Sequence, residues 1–190
     1  MSAHAPLWGI GVIGLGCLGA APAIAAQYLT VEGAQHAVFP EADLFVPLVP
    51  QLDAVQKQLI AARAGPQPAH GRLQIFLARQ GDRLVGHVFI DEVIGRQDLI
   101  TYALGIDRHG ALRAPEILDY RESHGNEVRG RGWREQFASR NGLQQLNFGT
   151  DIKNIAGATL SSEHLTQGIR WLTALWDLAL RPTAGPVAAP

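Results

Sequence analysis

Apolar residues change their spacing three times along this 190-residue chain, and each regime points to a different kind of element. Residues 7–21 are almost wholly apolar. Leu52, Val55, Leu59 and Ala62 then recur at three- and four-residue steps, which predicts a short amphipathic helix over 51–63. The stretch 39–50, opened by Phe39-Pro40-Glu41 and closed by Pro50, reads as irregular, and 65–71, with Pro66 and Pro68, as a linker. Beyond it the pattern turns extended. Segments 73–79, 84–94, 99–106 and 112–120 are rich in β-formers and are separated by the turn signals Gly81-Asp82, Gly95-Arg96 and His109-Gly110. Leu84, Val88, Ile90 and Ile94 fall mostly on one strand face, so these segments predict an antiparallel meander. A short helix is expected over 133–140. Helical spacing then returns in Leu165, Ile169, Leu172, Trp176 and Ala179, the stripe of a long final helix. The expected fold class is α+β: an antiparallel twisted sheet with a C-terminal helix and short helices packed on one face.

The first 31 residues contain no Asp, Glu, Lys or Arg, and Ala23-Ile24-Ala25 offers a small-x-small cleavage site. This predicts a secretory signal peptide over 1–25, with a retained membrane anchor as the alternative and lipidation at Cys17 as a third. The protein is expected to be periplasmic or exported, or held at the inner membrane by this segment. Cleavage would remove Cys17, the one cysteine, leaving neither a disulfide nor a thiol nucleophile. The domain reading is therefore 1–25 leader or anchor, 26–71 irregular and helical segment with linker, 72–181 functional domain, and 182–190 frayed tail. Gly9-x-Gly11-x-x-Gly14 matches a dinucleotide fingerprint, with Glu32 near the distance of a ribose-binding acid. The context rejects it: too few residues precede Gly9 for a first strand, and Pro22 would break the helix that must follow.

Charge adds little. Sixteen basic and 17 acidic residues give a net charge of −1, so there is no electrostatic footprint for nucleic acid. Arg129, Arg131 and Arg134 cluster without an aromatic ladder and read as a solvated loop, with a cofactor or phosphate contact as the lesser alternative. Glu116, Asp119, Glu122 and Glu127 read as solvated too. No metal-ligand, haem-attachment or nucleophile-elbow spacing occurs in the sequence.

The chemistry concentrates in Ala156-Gly157-Ala158-Thr159-Leu160-Ser161-Ser162-Glu163. Gly157 can enter φ > 0 without steric cost, and the flanking alanines leave room for a bulky group. Thr159, Ser161 and Ser162 are candidate N-caps, because their oxygens can accept from unpaired backbone N–H groups. The first turn of the following helix presents free N–H donors and the positive dipole end, a seat for an anion. A plain helix cap is the other reading of the same residues.

From about residue 85 to 180 the chain resembles the FMN-binding domain family, whose best-known members are subunits of the sodium-translocating NADH:quinone reductase and of the Rnf electron-transfer complex. The resemblance rests on ordered blocks: Asp91-Glu92-Val93-Ile94-Gly95, Ile100-Thr101-Tyr102-Ala103, Tyr120-Arg121-Glu122-Ser123-His124-Gly125 with Glu127-Val128, Gln136-Phe137, and Ala156 to Ser162. It implies that Thr159 is the residue esterified to the FMN phosphate by a dedicated flavin transferase. Gly157 and Ala158 would form the turn, with Leu160, Ser161 and Ser162 following. The isoalloxazine ring would lie noncovalently against the sheet and the loop carrying Tyr120, Glu122, Ser123 and Gly125. The chain departs from the attachment signature at Lys153, where the family has an acid, and at Ala156, where it has Ser or Thr; Asp151 is displaced by two. Both covalent and noncovalent FMN therefore stay open.

The resemblance implies an exported flavoprotein passing electrons between membrane or periplasmic redox proteins. A covalent link suits that setting, since it frees occupancy from the concentration of a scarce cofactor. An alternative is a flavin-dependent reductase of a small acceptor, for which His124 and Glu122 are the available proton donors. A flavin-free interaction module is the third expectation.

Overall fold

The computed structural model describes residues 26–66, 68, 72–122 and 124–181. The expected leader, the tail 182–190, Ser123 and part of the expected linker lie outside them.

Among the described residues six strands form one antiparallel sheet: β1 (Ala26–Gln27), β2 (Leu44–Leu48), β3 (Gln74–Gln80), β4 (Arg83–Ile94), β5 (Leu99–Asp107) and β6 (Glu116–Tyr120). Their order is β1-β6-β5-β4-β3-β2. The expected meander is β3 to β6, with the hairpins turning where Gly81-Asp82 and the residues after Gly95 predict. The last strand is shorter than 112–120 suggests, because Pro115 supplies no N–H and residues 106 and 112 make only an isolated bridge.

The stretch expected to be irregular contains β2. It pairs with β3 along its whole length, Leu44 opposite Arg79 through Leu48 opposite Ile75. Pro47 sits in it without penalty to the fold because β2 is the sheet edge, where a missing N–H need not break a ladder on both sides. Strands β1 and β2 thus belong to the same sheet as those beyond residue 72.

Helices cover both faces of the sheet, which corrects the expectation of one. Helix α1 (Val31–Val38) is opened by Thr30, whose hydroxyl accepts from Gly33 N at 3.0 Å. Its Val38 and the following Phe39 pack with Val88, Ile90, Ala103 and Leu118 on one face. They reach the sheet because Gly86 and Gly105 present no side chain there; a Cβ on either would collide with Phe39 or Val38. Helix α2 (Ala54–Ala64) begins three residues later than the periodicity suggests, at a capping box. There Asp53 Oδ1 accepts from Gln56 N at 2.7 Å, and Gln56 Oε1 from Asp53 N at 3.1 Å.

The expected helix over 133–140 is a four-residue turn, α3 (Arg131–Arg134), running into a 3-10 turn over Glu135–Phe137. It ends before Ser139, whose φ of 62° no helix can continue through. The long final helix, α4 (Thr159–Leu175), lies on the other face with α2 and passes into a π-helical turn, Trp176–Leu180. Its predicted stripe is the core: Leu165, Ile169, Leu172 and Trp176 are all buried against Phe89, Val93, Tyr102 and Leu104. Among the described residues no helix is long and apolar enough to cross a membrane.

Candidate functional site at the start of helix α4

Of the residues singled out in the sequence, Glu122, Gly157, Ala158, Thr159, Leu160 and Ser161 line one cleft at the N-terminus of α4, while Tyr120, Gly125 and Ser162 lie behind it. A cleft of about 520 Å³ is lined there by Glu122, His124, Gly157, Ala158, Thr159, Leu160 and Ser161, with Arg96 and Gln97 from the β4–β5 turn. Its volume falls within the roughly 300–1,000 Å³ usual for small-molecule sites.

Gly157 has φ +88° and nothing within reach of a Cβ, so this turn is open to solvent. The helix start differs from the expected cap. Ala158 occupies the N-cap position, and among the described residues no side chain caps the first-turn N–H groups. Thr159 is the first helical residue rather than a cap. Ser162 turns its hydroxyl back, donating within reach of Ala158 O at 2.9 Å, Thr159 O at 3.0 Å and Asn154 Oδ1 at 3.0 Å. The first-turn N–H groups thus have no side-chain cap among the described residues. Thr159 is exposed there, and its Oγ1 accepts from Asn154 Nδ2 at 3.1 Å, which leaves its own proton available.

Tyr120 does not line the cleft but reaches Ser161 beneath it because of a β-bulge. Between Thr101 and Tyr102 the partner shifts from Asp119 to Ile117, skipping Leu118. The extra residue lets both Ile117 and Tyr120 face α4, whereas strict alternation would send Tyr120 to the α1 face. The Tyr120 hydroxyl donates to His124 O at 2.6 Å and stands 3.0 Å from Ser161 Oγ. Burial raises its pKa above the ordinary value, so it stays a hydroxyl. Gly125 has φ +87°, and a Cβ on it would lie 2.7 Å from the Tyr120 oxygen. Only glycine satisfies both conditions.

Glu122 is pinned on the opposite wall, its Oε1 accepting from Gln97 N at 2.5 Å and Asp98 N at 2.9 Å. That clamp also fixes the β4–β5 turn and with it Arg96, which makes no ion pair among the described residues. His164 closes the back of the turn, its Nδ1 2.7 Å from Ile94 O and 2.9 Å from Gly95 O. Ser123 lies outside the described residues.

Several sequence readings are corrected. Glu116 and Asp119 belong to β6 and pair with Arg134 and Arg121, so they are not loop charges. Arg129 lies over the Tyr28 ring at 3.2 Å and Arg131 pairs with Glu135 at 2.6 Å. Arg134 donates to Arg129 O and Pro115 O at 2.9 and 2.8 Å. Arg129 and Arg134 thus brace the 116–135 region, Arg131 is solvated as expected at 85% exposed, and none of the three lines the cleft. Arg96, Gln97 and Asn154 were not legible as site residues, since only the closed hairpin and the α4 turn bring them there. The one available signal was Gly95-Arg96 as a turn facing the same sheet end as Gly125. No group of three or more potential metal ligands occurs among the described residues.

Comparison with protein-family models gives no match, and neither does comparison with curated proteins.

Proposed function

We propose that the chain is a flavoprotein that carries FMN in the cleft at the start of α4, with Thr159 as its attachment point. The observation that carries this reading is the uncapped first turn of α4, which opens beside an exposed Thr159 hydroxyl into a cleft of about 520 Å³ that also receives Arg96. Free N–H groups, a helix dipole and a guanidinium are the donor set a phosphate needs. Leu160, 43% exposed, offers an apolar surface beside them for a planar ring. Bound FMN would supply reversible one- or two-electron chemistry; the protein supplies anchoring, orientation and exposure. Tyr120 and Gly125 back Ser161, which lines the cleft, and Glu122 holds the Arg96 turn in register.

In this reading electrons pass between membrane or periplasmic redox proteins, and a flavin transferase matures the chain. Its test is to express the full chain with and without a flavin transferase, in an export-competent host, and inspect a denaturing gel for flavin fluorescence. A fluorescent band that disappears in Thr159→Ala supports covalent attachment. A colourless band, with purified native protein that shows no flavin absorbance, sinks both the covalent and the noncovalent version and leaves the interaction-module alternative.

His124 and Glu122 line the same cleft, which favours a second reading, a reductase with its own small acceptor. Glu122 accepts two backbone N–H bonds through one carboxylate oxygen, Oε1. Steady-state turnover of a small acceptor that falls in His124→Gln would support it over a carrier.

A further inference from the structure

A second cleft, larger than the one at Thr159, lies at the other end of α4 and is unrelated to the flavin reading. From Thr159 to Trp176 the helix rises about 25 Å, at about 1.5 Å per residue, so the two clefts cannot share one small ligand. This second cleft has a volume of about 820 Å³. Its charged lining consists of Arg63, Arg170 and Arg181 against Asp177 alone, which leaves a formal charge of +2.

The placement follows from helical spacing. Arg170, Thr173, Asp177 and Arg181 recur at three- and four-residue steps and therefore share one face. The π-helical turn over Trp176–Leu180 widens that face, closing with Arg181 N donating to Trp176 O at 2.7 Å. The Arg181 guanidinium lies 5.0 Å from the Trp176 ring centre, which orients its planar fork. Arg63 arrives from the last turn of α2.

Asp177 does not saturate these cations. Its two oxygens are shared between Arg63 at 2.9 Å and Arg181 at 2.6 Å, and all three side chains remain between 36% and 52% exposed. Exposed pairs of this kind contribute little, so an incoming anion can replace Asp177 as the partner. Arg170 is held by Leu143 O at 2.9 Å and Asn147 Oδ1 at 3.2 Å, both through one nitrogen, Nη1. The rest of its fork is left for a ligand.

We infer that this cleft binds a small organic or inorganic dianion, carrying carboxylate or phosphate oxygens, between Arg170 and Arg181 with Arg63 in support. The cations sit inside a concavity, which suits a compact ligand better than the flat surface of an acidic protein. Succinate and inorganic phosphate are the probes, titrated calorimetrically into the full chain at low ionic strength. At least one should bind, and which one does distinguishes a carboxylate source from a phosphate source. Arg170→Gln and Arg181→Gln should each weaken that affinity about tenfold, the order expected for one charge-assisted contact. Asp177→Asn should tighten it by removing the competing carboxylate. Circular dichroism of each variant guards against a folding defect. Silence with both probes overturns the proposal, as does an affinity unchanged in Arg170→Gln and Arg181→Gln. Weaker binding in folded Asp177→Asn overturns it too, since the ion triad would then be a structural clamp. None of these outcomes depends on flavin occupancy.

Discussion

Tyr120 and Ser161 meet hydroxyl to hydroxyl at 3.0 Å across 41 residues of chain, joining the end of β6 to the first turn of α4. The contact exists because the β6 bulge turns Tyr120 toward the helix and Gly125 leaves the space above its oxygen empty. It ties β6 to Ser161, which lines the cleft two residues after Thr159. A double-mutant cycle of Tyr120→Phe and Ser161→Ala should return a coupling of about 0.5–1.5 kcal/mol in urea unfolding, as for one buried hydrogen bond. Strict additivity would mean that each hydroxyl is satisfied elsewhere, and Tyr120 would then serve only to hold His124 O.

Arg96 and Thr159 separate two contributions to the same proposed phosphate site. Thr159→Ala should abolish any flavin that survives denaturation. Arg96→Gln should leave attachment intact but, in the Thr159→Ala background, weaken noncovalent FMN binding about tenfold, the order of one charge-assisted contact. Flavin fluorescence quenching measures the second effect. If Arg96→Gln leaves that affinity unchanged, the phosphate does not lie beside the β4–β5 turn.

What the sequence made legible depended on how local the determinants were. Strands β3 to β6 announce themselves through runs of β-formers between glycine turns, and α4 through its buried stripe. Edge strand β2 did not, because Pro47 and the prolines around it argue against a strand unless the edge position is known. Helix α1 did not either: eight residues with Gly33 inside give little periodic signal, and its stability comes from Val38 and Phe39 seating over Gly86 and Gly105. At the site, the residues contiguous with Thr159 were readable from turn chemistry. Arg96, Gln97 and Asn154 were not, since nothing local distinguishes a turn arginine aimed at a cleft from one aimed at solvent. The bulge that redirects Tyr120 left no mark in the sequence, which reads as an ordinary strand end.

His87 and Trp176 make a buried link 89 residues apart, Trp176 Nε1 donating to His87 Nδ1 at 3.1 Å. The acceptor nitrogen must be unprotonated, and burial lowers the His87 pKa from 6.5 to about 4. Because the folded-state value lies below the unfolded one, the stability is complete above pH 6.5 and is lost as pH falls toward 4. The gap corresponds to about 3 kcal/mol by proton linkage. Urea midpoints measured between pH 7 and 4 should fall, and His87→Gln, which keeps an acceptor without a titration, should flatten that part of the profile. A parallel decline in His87→Gln would assign the loss to the carboxylates instead.

Gly168 lets α4 lie close over β4 and β5. A Cβ at that position would fall 2.6 Å from the Tyr102 hydroxyl and 2.9 Å from Val93 Cγ1. Tyr102 cannot yield easily, since it is fully buried and its hydroxyl donates to Asp91 Oδ2 at 3.0 Å. Replacing a mid-helix glycine by alanine ordinarily stabilises a helix by about 1 kcal/mol. Here the overpacking, worth about 1–3 kcal/mol, should outweigh that gain, so Gly168→Ala is expected to destabilise the protein on balance. The sign is the informative part. Repeating the substitution in a Tyr102→Phe background removes the oxygen that the new methyl meets, and the cost should shrink or reverse as the helix gain reasserts itself. Chemical denaturation of the four proteins gives the comparison, and a cost that Tyr102→Phe leaves untouched would place the obstruction at Val93 rather than at the tyrosine.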